Sequence, residues 1–287
     1  MDDEIRCILH SHFHTTGWTV AKPKDGQQKA SFVAHHSQQS VFIKFDVPIA
    51  ALQRLGEIGV APRVLASGRA ADQPYIIQEY IAGSYPDWRW FASHLPELAA
   101  FTRRYHHDQP LTSLLAANTI TSYQEHIAQD LATLEKQFHT LQAGELHTPE
   151  ITSALEKLKS QANHLQPLHP VPLVPVHPDP NTKNMLLFAD RLLMVDWDDI
   201  QLSDPLRDVG LLLWWYVSKD QWPLFFQMYG LQIDDNLIER IFWWAARTSF
   251  AIALWHVEHH YDCRAFLQDF LAAVNMDSNP HAVFEPT

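Results

Sequence analysis

A chain of 287 residues with 46% hydrophobic and 19% charged residues has globular composition and is long enough for one large domain or two lobes. Its formal net charge of −12 argues against a nucleic-acid partner, because phosphate binding needs a basic face; it leans weakly toward a cationic ligand, an acidic surface that merely keeps the protein in solution being the favoured reading. No apolar run reaches bilayer length, the acidic start lacks a signal-peptide core, and Cys7 and Cys263 form no spaced framework; a cytoplasmic protein with no membrane partner is expected.

The predicted elements begin with a strand at 17–20. Segments 31–36 and 39–45 are rich in Val, Phe and Ile, and read as an antiparallel hairpin. Residues 49–58 place Ile49, Leu52, Leu55 and Ile58 at helical spacing, with Pro48 at the first turn. Two more strands follow at 64–66 and 75–81, separated by a turn at 68–74. Gly83-Ser84-Tyr85-Pro86 then marks a boundary. Beyond it the pattern turns helical, at 95–106, at 120–141 and at 151–165. The second of these carries Ile127, Leu131, Leu134, Phe138 and Leu141 on one stripe. A Pro-rich passage at 167–175 leads to a short hairpin, 186–188 and 192–195, turning at Ala189-Asp190. Residues 206–274 read as helical and hold most of the tryptophans. Near the start, Leu9-His10-Ser11-His12-Phe13-His14 would set alternate imidazoles on one face if extended. No Cys or carboxylate accompanies them, so a polar face near a terminus is the favoured reading.

The residues that carry chemistry are concentrated between 177 and 208. His177-Pro178-Asp179-Pro180-Asn181-Thr182-Lys183-Asn184 is followed by the apolar run Leu192-Leu193-Met194-Val195 ending in Asp196-Trp197-Asp198. Ser203-Asp204-Pro205-Leu206-Arg207-Asp208-Val209-Gly210 comes next. Phosphoryl transfer needs a carboxylate at the attacking hydroxyl, oxygen ligands for Mg²⁺, and a fixed geometry between them. Taken alone, Asp179 would be a helix cap in a Pro-rich turn. With Asn184 five residues on and Asp196 beyond, it reads as a catalytic base. Upstream, Lys44 interrupts the apolar run Val41-Phe42-Ile43-Lys44-Phe45, where an unpaired buried ammonium would be costly. An edge-strand lysine that discourages aggregation is the alternative reading.

These motifs, in this order and spacing, resemble the aminoglycoside phosphotransferase and choline kinase superfamily of protein-kinase-like enzymes. Its members commonly read His-Gly-Asp-x-x-x-x-Asn, then Ile-Asp-Trp-Glu, then Gly-Asp-Pro-x-x-Asp-Leu-Ala. Pro178 stands here for the Gly and Asp198 for the second acid. The resemblance spans residue 18 to about residue 210. It implies an α+β, two-lobed protein-kinase-like fold, with a small β-sheet lobe at 1–81 and a larger, mainly helical lobe at 82–287. It implies ATP and Mg²⁺ as cofactors, with Asp179 as base and Asn184 and Asp196 as metal ligands. Lys44 would contact the α- and β-phosphates, and the backbone of Glu79 and Ile81, in Gln78-Glu79-Tyr80-Ile81-Ala82-Gly83, would meet the adenine edge. His177 would hold the loop, and Asp208 would tie that loop to the following helix.

Two departures stand out. Kinases pair the strand lysine with a Glu on the following helix, but that position falls near Pro48, and Glu57 sits toward the helix end. The phosphate-covering segment at 21–30 holds a single Gly, Gly26. Candidates for the acceptor site are Asp198, Trp214, Trp215, Trp243, Trp244, Trp255, Glu258 and Asp262. Aromatic faces with carboxylates suit an ammonium group, although tryptophan at helical spacing is more often core.

The expected function is therefore transfer of the ATP γ-phosphate to a hydroxyl of a small molecule, an amino-alcohol or aminoglycoside-like acceptor being favoured. The alternative is a nucleotide-binding module of the same fold with weak or no catalysis. A metal-dependent hydrolase using His177, Asp179 and Asp196 would need further ligands and would leave Lys44 unexplained.

Overall fold

The computed structural model describes residues 2–23, 30–37, 39–116, 122–141, 144–166 and 173–282. Residues 24–29 of the expected phosphate-covering segment, Gly26 included, and 167–172 of the Pro-rich passage lie outside the described residues. The chain divides into two compact units: residues 1–85 with 182–200, and residues 86–181 with 201–287.

The first unit opens with helix α1 (Asp2–Phe13), which buries Ile5, Ile8 and Leu9 on one face. The histidines of 10–14 therefore begin on a helix and not on a strand, and their alternation does not gather them on one face. Five strands follow around helix α2 (Ile49–Glu57): β1 (Thr19–Ala21), β2 (Ser31–His36), β3 (Gln39–Phe45), β4 (Val64–Ala70) and β5 (Gln73–Glu79). They form one antiparallel sheet in the order β1-β2-β3-β5-β4. Side chains alternate across a strand, so Val41, Ile43 and Phe45 share one face. That face packs with Ile5, Leu9, Trp18, Phe32 and Tyr75 into the unit's core. Phe42 and Lys44 point the other way.

Strands β6 (Val174–Val176) and β9 (Gln201–Ser203) belong to the second unit, whereas the hairpin of β7 (Met185–Phe188) and β8 (Arg191–Met194) completes the first. Its turn residues Ala189 and Asp190 both have positive φ, 48° and 58°, as a two-residue turn between right-twisted strands requires. A single bridge joins β7 to the segment after β5: Ser84 N–H donates to Leu187 O at 3.1 Å and Leu187 N–H to Ser84 O at 2.7 Å. Gly83 makes this approach possible, because a Cβ there would lie 2.8 Å from Leu187 O. Gly83→Ala is expected to lower stability by about 1–3 kcal/mol by forcing this backbone apart. Urea unfolding of wild type and variant measures it; an unchanged midpoint would show that the bridge yields without cost.

The second unit is helical: α3 (Trp88–Ser93), α4 (Leu95–His106), α5 (Gln109–Leu115), α6 (Tyr123–Thr140), α7 (Pro149–Ala162), α8 (Leu206–Tyr216), α9 (Trp222–Tyr229), α10 (Asp235–Glu258) and α11 (Arg264–Val274). Asp87, Asp108, Ser122, Thr148 and Asp234 each accept a backbone N–H three residues on, which fixes the starts of α3, α5, α6, α7 and α10. The middle of α10 is buried on all sides, from Arg240 through Phe250, and packs against α8 and α11. Two acids with enclosed side chains pair with three arginines here. Asp204 binds Arg240 and Tyr123, and Asp130 binds Arg207 and Arg247. Arg207 also lies over the Trp244 ring, and burial together with the charge of Arg247 lowers its pKa to about 10, against the pull of Asp130.

His126 is buried beside this cluster, with Nε2 2.7 Å from Ser203 Oγ. Burial lowers its pKa, outweighing the pull of the Asp130 carboxylate. The unfolded chain therefore binds a proton more readily than the folded one. Stability is full above the unfolded value of about 6.5 and falls as pH drops below it. Unfolding midpoints at pH 7.5 and 5.5 should differ, and His126→Gln should flatten that difference. An unaltered slope would assign the pH dependence elsewhere.

Candidate active site

Two sets of polar side chains carry the motif residues, one in each unit. In the first, β3 supplies Lys44 from the centre of the sheet, where it pairs in register with Ser31 and Ile76. Its neighbours Ile43 and Phe45 face the core, so strand periodicity turns Lys44 away from that core. The ammonium does not go unpaired. Nζ lies 2.6 Å from Asp196 Oδ1 and 2.8 Å from both carboxylate oxygens of Asp198.

These acids are set by the end of β8. Met194 N–H donates to Val60 O at 2.8 Å, which ties the strand to the loop after α2. Val195 N–H donates to Asn184 O at 2.8 Å, which sets Asn184, at the end of a 3₁₀ turn (Thr182–Asn184), beside the same strand end. Trp197 is buried and its indole N–H donates to Met194 O at 2.8 Å. Between these anchors Asp196 takes a φ of +66°. A left-handed backbone at a non-glycine residue is costly and persists where its surroundings impose it, often at functional positions. Asp196 projects from this turn with 57% of its side chain exposed, whereas the Asp198 side chain is 3% exposed. The Asn184 amide and the exposed Asp196 carboxylate, one residue past the Val195 that bonds Asn184, are hard oxygen donors, and donors of this kind fit Mg²⁺. Among the described residues, no group of three His, Cys, Asp or Glu side chains is arranged to hold a metal ion. The hydrolase reading, which requires such a group, finds no support there.

In the second unit, β6 leads into a buried His177 and an exposed Asp179. Asp179 N–H donates to His177 Nδ1 at 3.1 Å, and Asn181 Nδ2 donates to Asp179 Oδ2 at 2.7 Å. Asp208, fully buried in the first turn of α8, anchors this segment by accepting from His177 N–H at 3.0 Å. The same Asp208 oxygen accepts from Tyr105 O–H at 2.9 Å and lies 3.2 Å from His106 Nε2. His106 Nδ1 is in turn 2.6 Å from Tyr229 O–H. Burial first, and the Asp208 charge second, raise the pKa of both tyrosines and hold them as neutral donors. Sequence reading missed Tyr105, His106 and Tyr229. They lie on α4 and α9, far along the chain from residue 208, and no local pattern marks them.

The remaining candidates are dispersed. Glu79 ends β5, where its N–H donates to Arg63 O at 3.0 Å and its carboxylate pairs with the Arg63 guanidinium. Ile81 is half-buried two residues on. Asp198, an acceptor-site candidate on sequence, lies on Lys44, too enclosed to meet an acceptor from solvent. Trp214 and Trp244 are core: both are buried, Trp214 against Phe242 and Trp244 against Trp243, so neither offers a face to a ligand. Trp255, Glu258 and Asp262 are exposed near the end of α10. Trp255 stacks on His259, and Asp262 pairs with Arg264, which holds its carboxyl well below the usual range.

The fold is shared with solved kinases. A choline/ethanolamine kinase family protein from Mesorhizobium loti is 19% identical, with a TM-score of 0.64 over 96% of this chain and 99% of that one. A choline kinase from Streptococcus pneumoniae is 14% identical, with a TM-score of 0.65 over 96% of this chain and 98% of that one. A spectinomycin phosphotransferase is 14% identical, with a TM-score of 0.64 over 98% and 96%. At these identities the likeness establishes the α+β, protein-kinase-like architecture. Sequence carries the rest: the profile of the phosphotransferase enzyme family matches residues 46–238, two thirds of the chain, and the protein belongs to that family.

Proposed function

We propose that this protein is an ATP-dependent kinase that moves the γ-phosphate to a hydroxyl of a small molecule. The carrying observation is the cluster of Lys44, Asp196 and Asp198, with Asp196 held exposed at a positive φ beside Asn184. A similar spectinomycin phosphotransferase was solved with ADP and spectinomycin, which supports nucleotide binding. Residues 1–81, extended by 182–200, would serve as the nucleotide-binding lobe, and the rest of 82–287 as the catalytic and acceptor-binding lobe. The hinge backbone at Glu79 and Ile81 would take the adenine edge.

Asp179 acts as the base. Its exposed carboxylate orients the acceptor hydroxyl and takes its proton as the oxygen bonds to phosphorus and the bond to the ADP oxygen breaks. Asn181, bonded to one oxygen of Asp179, holds that carboxylate in one rotamer. His177 and Asp208 fix the backbone beneath it. Asn184 and Asp196 would hold Mg²⁺, which when bound neutralises phosphate charge. Lys44 adds a fixed positive charge to the nucleotide phosphates.

The net charge of −12 and the exposed Trp255, Glu258 and Asp262 favour a cationic acceptor, an amino-alcohol or an aminoglycoside. No described helix is long and apolar enough to cross a membrane. A cytoplasmic location is proposed from the two cysteines, which form no spaced framework. ADP release with MgATP, measured against amino-alcohols, aminoglycosides, thiamine and hydroxy amino acids, tests the reading. Acceptor-dependent release supports it and names the substrate class. MgATP binding without release from any acceptor would favour the nucleotide-binding module, and no MgATP binding would overturn the kinase assignment.

A further inference from the structure

We propose that Asp198 is the positioning residue for Lys44, taking the place that an acid on α2 holds in kinases generally. A strand lysine that must meet nucleotide phosphates needs a partner to fix its reach, and kinases supply a Glu from the following helix. Here α2 has no acid in its first turn. Its one acid, Glu57, is at the opposite end, 64% exposed, and pairs with Arg54 at 3.1 Å. The partner comes instead from the segment after β8.

The two acids on Lys44 divide the work between them. Asp198 is enclosed and meets Nζ with both oxygens at 2.8 Å, a geometry that fixes the ammonium in position. Asp196 meets it with one oxygen at 2.6 Å and is largely open to solvent. The group as a whole carries one net negative charge, one lysine against two carboxylates. A divalent cation can therefore join Asp196 without expelling Lys44, which stays on Asp198. An enclosed charge left alone is costly, so the pair is also a structural unit: removing Lys44 strands Asp198, and removing Asp198 leaves Lys44 only the exposed Asp196.

This assignment rests on the proposed kinase reading for its functional half and on geometry alone for its structural half. A double-mutant cycle separates them, with wild type, Lys44→Met, Asp198→Asn and the double variant. Without nucleotide, each single variant should melt at a lower temperature than the double variant, because Lys44→Met strands the enclosed Asp198 carboxylate and Asp198→Asn leaves the enclosed ammonium only the solvent-exposed Asp196. A double variant less stable than either single would overturn the pairing. In the same proteins, Lys44 acylation by acetic anhydride, followed by mass spectrometry, should quicken in Asp198→Asn. An unchanged rate would likewise overturn it, even where a variant melts too low for kinetics.

With MgATP, Asp198→Asn should raise KM for ATP about tenfold, and adding it to Lys44→Met should change KM little further. The Mg²⁺ concentration giving half-maximal rate should stay where it is. Additive losses, or a Mg²⁺ midpoint shifted upward, would make Asp198 a metal ligand and overturn the proposal. Wild type failing to bind MgATP would sink the kinase reading instead, while melting and acylation would still decide the pairing.

Discussion

Asp179→Asn should cut the turnover number by about a hundredfold to ten-thousandfold, the range a positioned proton acceptor contributes. The substitution is nearly isosteric and removes the basic oxygen. Its structural cost should be small, because the side chain is exposed and asparagine keeps an oxygen that can accept from Asn181. Binding of MgATP should persist, since the proposed function gives that work to Lys44, Asn184, Asp196 and the hinge. The measurement is kcat and KM for ATP with the best acceptor, alongside nucleotide affinity by titration calorimetry. A fall in kcat with little change in nucleotide affinity is the signature of an interaction made in the transition state. Equal loss of both would move Asp179 from base to loop scaffold. Asn181→Ala should act in the same direction and more weakly, because it frees the rotamer and leaves the base in place.

The largest stability loss is expected from Arg240→Met. Arg240 is buried in the middle of α10, and both Nε and Nη2 donate to Asp204 Oδ2. Asp204 also accepts from Tyr123 O–H at 2.6 Å and from Leu206 N–H at 2.8 Å. Burial pushes the Asp204 carboxyl up, but the Arg240 charge and these hydrogen bonds outweigh it and leave its pKa lowered. Its contribution to stability is therefore present above the unfolded carboxylate value of about 3.9 and is lost as pH falls through the folded value. Methionine fills similar volume but strands the carboxylate, a change worth about 3–5 kcal/mol, which is a large share of the total stability of a typical domain. Arg240→Met with Asp204→Leu removes both charges and should recover much of that loss. Denaturant unfolding of the three proteins checks this. A double variant no better than Arg240→Met would show that the α8 start depends on Asp204 through Leu206 rather than through the ion pair.

The legible parts of this protein are those with short sequence range. The hairpin at 31–36 and 39–45 and the helix at 95–106 stand in the structure within those bounds, because strand alternation and an apolar stripe are local signals. Helix α1 was not read, since Asp2–Phe13 looks polar and its three buried residues match a helix only once the sheet beneath them is known. Strands β6 and β9 were not read either. Each has three residues, and they pair with one another across the hairpin of β7 and β8. In the family region the motifs at 177–184, 196–198 and 203–210 were visible because each is contiguous. The partners of Asp208 were not, because Tyr105, His106 and Tyr229 reach it from other helices.

The sequence by itself determined the phosphotransferase motif set, the β-then-helical order of the chain and the absence of an acid at the start of α2. Each of these is written in neighbouring residues, where spacing is geometry. Only the tertiary structure decided what replaces that acid. Lys44 and Asp198 are far apart along the chain and meet because β3 and the end of β8 converge in one unit. The same is true of Trp214 and Trp244, acceptor-site candidates for which core was the commoner reading, and which helix packing buries. A side chain's exposure depends on which surfaces close over it, and that is fixed by contacts between elements.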